Sequence, residues 1–144
     1  NGMPLSVYCG RAEVMDLLEK VIVSSTYGGE ALSLAAARAT VEVYRREGVV
    51  EHLWRMGEAM WGALNGLFDK HNLPLRMTGF WPCVQITAAP GAPADLMERF
   101  FRAAFANGVS LYGVSYVNFS HKQGDIDEAT ERLDAACTQV ARQG

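Results

Sequence analysis

The stretch EALSLAAARATVEVYRRE, residues 30–47, has helical periodicity but almost no polar side. Leu32, Leu34, Ala35, Ala36, Ala39, Val41, Val43 and Tyr44 cover most of its circumference. Such a helix predicts burial of its first half on nearly every side, and so a fold able to surround it. Its end is ordinary: Arg45 and Arg46 suit the negative pole, and Gly48 suits the left-handed position beyond. Its start is not. Directly before it stands VSSTYGGE, residues 23–30, three hydroxyls and a glycine pair. A helix N-terminus offers unpaired N–H groups and a partial positive charge, to which Ser24, Ser25 and Thr26 could add donors for an anion while Gly28-Gly29 let backbone come close. Plain capping is the commoner use of such a turn, so these residues alone leave both readings open.

The rest of the chain divides near Gly48. Before it, residues 4–10 read as a short apolar strand and residues 12–18 as a short helix with Glu13 in its first turn. After it, residues 49–71 place Val50, Leu53, Trp54, Gly57, Trp61, Leu64 and Phe68 at three- and four-residue steps, with Trp54 and Trp61 as core and Gly57 allowing close helix approach. This amphipathic helix stops at Asn72-Leu73-Pro74, because proline disfavours helix in the residue before it. Residues 76–87 predict two strand segments interrupted at Gly79 and Pro82. Leu96, Met97, Phe100, Phe101, Ala104 and Phe105 form a third helical face closed by Asn107-Gly108, and residues 109–112 and 114–119 predict a strand pair about Gly113. In the last helix Asp125 serves as cap and Glu128 completes a capping box, with Ile126, Ala129, Leu133, Ala136 and Val140 along one face. From Gly48 onward this order describes a small α+β domain, while the first 47 residues read as the edge of something larger. The opening Asn1-Gly2-Met3-Pro4 fits that expectation of a piece from a longer protein.

Several function classes fall away. Thirteen basic residues scattered among 16 acidic ones, for a net charge of −3, do not make a nucleic-acid surface. The longest uncharged stretch, residues 77–94, carries Pro82, Pro90, Pro93, Gly79 and Gly91, which a membrane-spanning helix would tolerate poorly. Cys9, Cys83 and Cys137 lack the spacing of a disulfide framework or a zinc knuckle, and no histidine pair has metal-ligand spacing, so a soluble protein of the reducing cytoplasm with no metal is expected. Ser120-His121 with Asp125 and Asp127 does not make a hydrolase triad, because a serine adjacent to its base is poorly placed for attack. His52 and His71 read as surface residues.

Taken together, Asn1-Gly2-Met3-Pro4-Leu5-Ser6, Gly10-Arg11, and Ser24-Ser25-Thr26-Tyr27-Gly28-Gly29-Glu30 with Leu32 and Ala35 to Ala37 resemble the class III, or glutamate-1-semialdehyde aminomutase-like, pyridoxal-phosphate aminotransferases. Asn118-Phe119-Ser120-His121 followed by Asp125-Ile126-Asp127 is similar to the same family's terminal strand and helix, so the resemblance runs over essentially all 144 residues. It implies a fold type I transferase, α/β overall and α+β in its C-terminal part. Residues 1–47 would be the edge of the large cofactor-binding domain with an interdomain helix, and residues 48–144 the small C-terminal domain. It also implies pyridoxal phosphate as cofactor, a small-molecule amino donor and carbonyl acceptor, and a homodimer with shared active sites.

The residue roles implied by this resemblance are few. The family lysine that forms the Schiff base precedes the Asn-Gly, and Lys20, Lys70 and Lys122 do not match its position, so no catalytic residue is assigned and the chain alone is expected to be inactive. Thr26 resembles the threonine that bonds the cofactor phosphate of the neighbouring subunit, with Ser25 beside it. Gly79 and Phe80, with the turn from Tyr112 to Tyr116, would face substrate. A rival reading is a non-catalytic dimerisation or regulatory module of the same fold, and a third is a domain binding some other phosphate ligand. Substrate identity and the choice between aminotransferase and aminomutase lie outside what these residues encode.

Overall fold

A computed structural model describes residues 2–142, so Asn1 of the opening motif lies outside the described residues. The chain forms two compact units, Asn1–Gly48 and Val49–Gly144.

The first unit contains α1 (Ala12–Met15), a 3-10 segment (Asp16–Lys20) and α2 (Ala31–Arg46). Residues 4–10, expected as a strand, form no regular element, since no second strand among the described residues of this unit offers a ladder. The helix expected over residues 12–18 tightens into the 3-10 segment after Met15. Helix α2 has the expected span but not the expected burial. Leu32 is 61% exposed, Leu34 52% and Tyr44 47%, and Ser33 is its one buried residue among those described. So few elements cannot enclose a helix, and the apolar sides form an uncovered surface.

The second unit is α+β, with α3 (Val49–Lys70), β1 (Leu75–Phe80), β2 (Cys83–Ala88), α4 (Leu96–Ala106), β3 (Val114–Tyr116) and α5 (Gln123–Ala141). The strands form one antiparallel sheet in the order β1-β2-β3. Its period-2 pattern puts Leu75, Met77, Val84, Ile86 and Ser115 on the buried side, where α3, α4 and α5 complete the core through Leu64, Phe68, Phe100, Leu133 and Val140. Phe68 meets Phe100 edge-on with centroids 5.1 Å apart. The outer edge of β1 is occupied by an α3 side chain. Asn65 Oδ1 accepts the Met77 N–H (2.8 Å) and Asn65 Nδ2 donates to the Met77 carbonyl (3.1 Å), standing where a further strand could pair.

Several local expectations are corrected here. Strand β1 continues through Gly79, which takes φ +112°, and Trp81-Pro82 form the turn to β2. Residues 109–112 do not pair with β3. The Ser115 hydroxyl accepts the Tyr112 N–H (3.3 Å) and donates to the Tyr112 carbonyl (3.0 Å), bending that segment into a turn, so β3 pairs with β2 instead. Helix α5 begins two residues before the expected cap. Asp125 lies within it and accepts the Lys122 N–H (2.8 Å), while Glu128 pairs with Arg132. On α3, Val50 and Trp54 stand half-exposed while Met56 and Met60 are buried in their stead, and Trp54 rests edge-on against Phe80 at 6.4 Å. Gly57 admits the backbone of the β1–β2 turn rather than another helix: a Cβ there would collide with the Trp81 carbonyl. Trp61, one turn on, donates its Nε1–H to that same carbonyl (2.9 Å).

Two histidines expected at the surface make tertiary bonds. His52 Nε2 lies 2.9 Å from the His121 carbonyl. His71 Nε2 lies 2.6 Å from Asp134 Oδ1, and Lys70 Nζ donates to both oxygens of that carboxylate (2.9 and 2.8 Å), joining the end of α3 to α5. Hydrogen bonding from Lys70 and then from His71 holds the Asp134 carboxyl below its ordinary value. A depressed folded-state pKa contributes stability that is complete above the ordinary aspartate value, about pH 4, and is lost as pH falls through the lowered one. Asp134→Asn is therefore expected to flatten the acid limb of stability below about pH 4. An acid limb of wild-type slope would contradict this.

Candidate functional site

The VSSTYGGE turn lies wholly within the first unit. Residues 26–29 turn back on themselves, and the Glu30 N–H closes the turn by donating to the Tyr27 carbonyl (3.2 Å). Glu30 then starts α2. Its extended backbone (φ −71°, ψ 106°) lets its carboxylate curl over the helix end and accept the N–H groups of Leu32 (3.0 Å) and Ser33 (2.5 Å). Both sequence readings of the turn change as a result. The hydroxyls are not the cap, and the amides of Leu32 and Ser33 are not free for an anion, because an internal carboxylate occupies them.

Ser24, Ser25 and Thr26 are thereby released from capping, and all three are exposed. They line a cleft of about 750 Å³ together with Ser6, Tyr8 and Glu30. Gly28 matters to this arrangement through space, since a Cβ on it would stand 2.5 Å from Ser25 Oγ, whereas one on Gly29 would meet nothing within 4 Å. Ser33, also at the cleft, is only 2% exposed, and its hydroxyl finds no aligned hydrogen-bond partner among the described residues. That hydroxyl nevertheless approaches the Glu30 carboxylate and, with the Ser33 and Leu32 amides, holds the Glu30 carboxyl below its ordinary value.

The chemistry of the cleft follows from its donors. Hydroxyls suit a phosphate or carboxylate oxygen, but none of the lining residues is a lysine or arginine, and Glu30 brings a negative charge. The donor set fits one side of a phosphate and leaves its charge to be balanced by another surface.

The remaining candidate residues lie in the second unit. In the sheet register Phe80 faces Cys83, which faces Tyr116, so Phe80 (72% exposed) and Tyr116 (65% exposed) share one row on the open side. Gly79 belongs to the neighbouring row with Val84 and Ser115, and its φ of +112° suits glycine and little else. Tyr112 is 73% exposed at the turn closed by Ser115 and lines a groove of about 430 Å³ with Tyr116 and Trp61. Ser120 and His121 form a turn around Asn118, whose Oδ1 accepts the Ser120 N–H (2.9 Å) and whose own N–H donates to His121 Nδ1 (3.3 Å).

Glu30 is the organising residue of the turn that sequence reasoning missed. Glutamate is not among the favoured cap types, and the signal available was its place at the junction of turn and helix. The three cysteines are graded in exposure, with Cys83 between the other two. Cys9 is exposed, whereas burial, with a smaller contribution from the Asp134 charge, pushes the Cys137 thiol up to about 12. Alkylation of the native protein near pH 8 is expected to modify Cys9 and to reach Cys137 only on global unfolding. Labelling of native Cys137 at the rate of Cys9 would contradict that burial.

Comparison with known proteins adds what local geometry cannot. No protein-family model matches the chain. It is 30% identical over 137 residues to the 2'-deamino-2'-hydroxyneamine transaminase of Streptomyces kanamyceticus, covering 94% of this chain and 35% of that protein. Against the glutamate-1-semialdehyde 2,1-aminomutase of Acetivibrio thermocellus the identity is 28% over 149 residues, covering 92% and 34%. Among solved structures, the FumI protein of Sphingopyxis sp. MTA144 in its PLP internal aldimine form aligns with a TM-score of 0.84 at 24% identity, covering 93% of this chain and 33% of that one. An omega-transaminase from Sphaerobacter thermophilus aligns with a TM-score of 0.75 at 15% identity, covering 92% and 34%. The chain thus spans about a third of the length of the relatives it matches. In sequence and in fold, it corresponds to the C-terminal part of the class III, glutamate-1-semialdehyde aminomutase-like, pyridoxal-phosphate-dependent aminotransferases.

Proposed function

We propose that the chain is the C-terminal part of a pyridoxal-phosphate-dependent aminotransferase or aminomutase. The intact protein moves an amino group from a small-molecule donor to a carbonyl acceptor, in the cytoplasm, as a homodimer with shared active sites. The observation that carries this reading is the release of Ser25 and Thr26 from capping by Glu30, which leaves their hydroxyls exposed at the cleft. Bound pyridoxal phosphate supplies the electron sink for amino-group transfer. The chain's own part is to hold and orient. Thr26, with Ser25 beside it, donates to phosphate oxygens, and the lack of a lysine or arginine in the cleft lining favours a phosphate whose other contacts come from the neighbouring subunit.

Residues 1–47 serve as the edge of the large domain and residues 48–144 as the small domain. Phe80, Tyr112 and Tyr116 lie on the substrate side, where their rings displace water, and Gly79 shapes the strand end beside Phe80. None of Lys20, Lys70 and Lys122 takes the role of the family's cofactor-bearing lysine, so the 144-residue chain alone is expected to show no transaminase turnover. The test is a pyridoxal phosphate titration of the intact protein followed by an amino-donor and acceptor screen. Saturable binding with amino transfer is expected. Absence of cofactor binding by the intact protein would contradict the reading.

A further inference from the structure

Glu30 is the one residue that both ends the hydroxyl-bearing turn and begins α2. Its N–H closes the turn on the Tyr27 carbonyl (3.2 Å), its carbonyl accepts the Leu34 N–H (3.2 Å), and its carboxylate takes the amides of Leu32 and Ser33. These bonds tie the backbone four residues beyond Thr26 to a helix of 16 residues. The turn itself has little other support: Gly29 has no neighbour within 4 Å of where a side chain would begin, and Thr26 and Tyr27 are exposed. A carboxylate is an unexpected group to find beside a place reserved for phosphate. On charge alone it would oppose the ligand; as a cap it fixes the segment that carries the ligand's donors. The two roles predict opposite signs, so they can be separated.

We propose that Glu30 is a positioning residue for the phosphate contact, acting through Thr26 by holding the turn in its binding shape. This rests on the reading of Thr26 given above. The carboxylate is committed to two amides of the helix end, where the dipole favours negative charge, so its charge is largely answered before any ligand arrives. What remains is its mechanical effect. Loss of a cap releases the first turn of α2 and the residues before it, and a contact that must then be ordered on binding loses affinity.

The test uses the intact protein and pyridoxal phosphate titrations of four variants, with amide hydrogen exchange over residues 26–33 in the absence of cofactor. Glu30→Ala is expected to weaken cofactor affinity about three- to tenfold, the fold-change matching a lost helix cap, and to speed exchange in the turn. Glu30→Asp, with a short acidic side chain favoured at caps, is expected to restore most of both. Because Glu30 acts through Thr26, the double variant Glu30→Ala with Thr26→Ala should bind no more weakly than Thr26→Ala alone. Unchanged or tighter binding by Glu30→Ala would overturn the proposal, as would fully additive losses in the double variant. If Thr26→Ala itself leaves affinity unchanged, the underlying phosphate reading fails. If Thr26→Ala weakens binding and Glu30→Ala does not, only the positioning role fails.

Discussion

Gly57→Ala is expected to destabilise the intact protein by about 3 kcal/mol and lower its melting temperature by roughly 3 °C, although alanine is the better helix former. Within α3 the substitution should gain about 1 kcal/mol of helix propensity. Against that gain stands the turn between β1 and β2. A Cβ on Gly57 would collide with the carbonyl of Trp81 and lie 3.1 Å from Pro82 N, both backbone groups that cannot rotate away. Moving the turn would also stretch the 2.9 Å bond from Trp61 Nε1 to that carbonyl, a buried indole donor whose loss costs about 1–3 kcal/mol. The control lies on the same helix. A Cβ on Gly66 meets nothing within 4 Å, so Gly66→Ala should stabilise by about 0.5–1 kcal/mol. Denaturant midpoints of the two variants should move in opposite directions, and a Gly57→Ala midpoint at or above wild type would contradict the packing described.

The second large effect concerns the ligand. Thr26→Ala in the intact protein is expected to weaken pyridoxal phosphate affinity about ten- to a hundredfold. A hydrogen bond to a charged phosphate is worth about 1.5–3 kcal/mol, and about 1.4 kcal/mol is a factor of ten. Little stability should be lost with it, because Thr26 is exposed and α2 is capped by Glu30 rather than by any hydroxyl of the turn. A stable variant with weakened cofactor binding is the signature of a ligand contact. A variant that loses stability and affinity in parallel would instead place Thr26 in the fold.

How much of this was written in the sequence depends on the range of the interaction. The helical span of α3, its stop before Pro74 and the apolar face of α5 are local patterns, and they are legible because each residue's neighbours lie three or four positions away, although the buried face of α3 takes Met56 and Met60 in place of Val50 and Trp54. Gly57 was legible as a close approach but not as an approach by a strand turn, since its partner is 24 residues distant and is backbone rather than side chain. Asn65 was silent for the same reason, with its role defined by Met77 on the strand it guards. The strand pair expected about Gly113 failed because the Ser115 hydroxyl closes the turn there. The apolar circumference of α2 predicts a buried helix, and the structure instead leaves its Leu and Tyr side chains exposed, because the few elements of the first unit cannot cover them. In the turn, the hydroxyls and glycines stood out while the acid that organises them did not, because a glutamate before a helix is ordinary in composition and distinctive only in geometry.

The central claim is that Thr26 serves a phosphate held largely by the neighbouring subunit, and a mixed dimer tests it most directly. Intact subunits carrying Thr26→Ala are combined with intact subunits lacking the cofactor-bearing lysine, and tight cofactor sites are counted at limiting pyridoxal phosphate. If the site is shared, one lysine and one threonine meet in each mixed dimer, and a wild-type-affinity site with amino-transfer activity appears that neither parent dimer has. If mixing restores no such site, Thr26 does not act across the dimer, and the account is wrong at its centre.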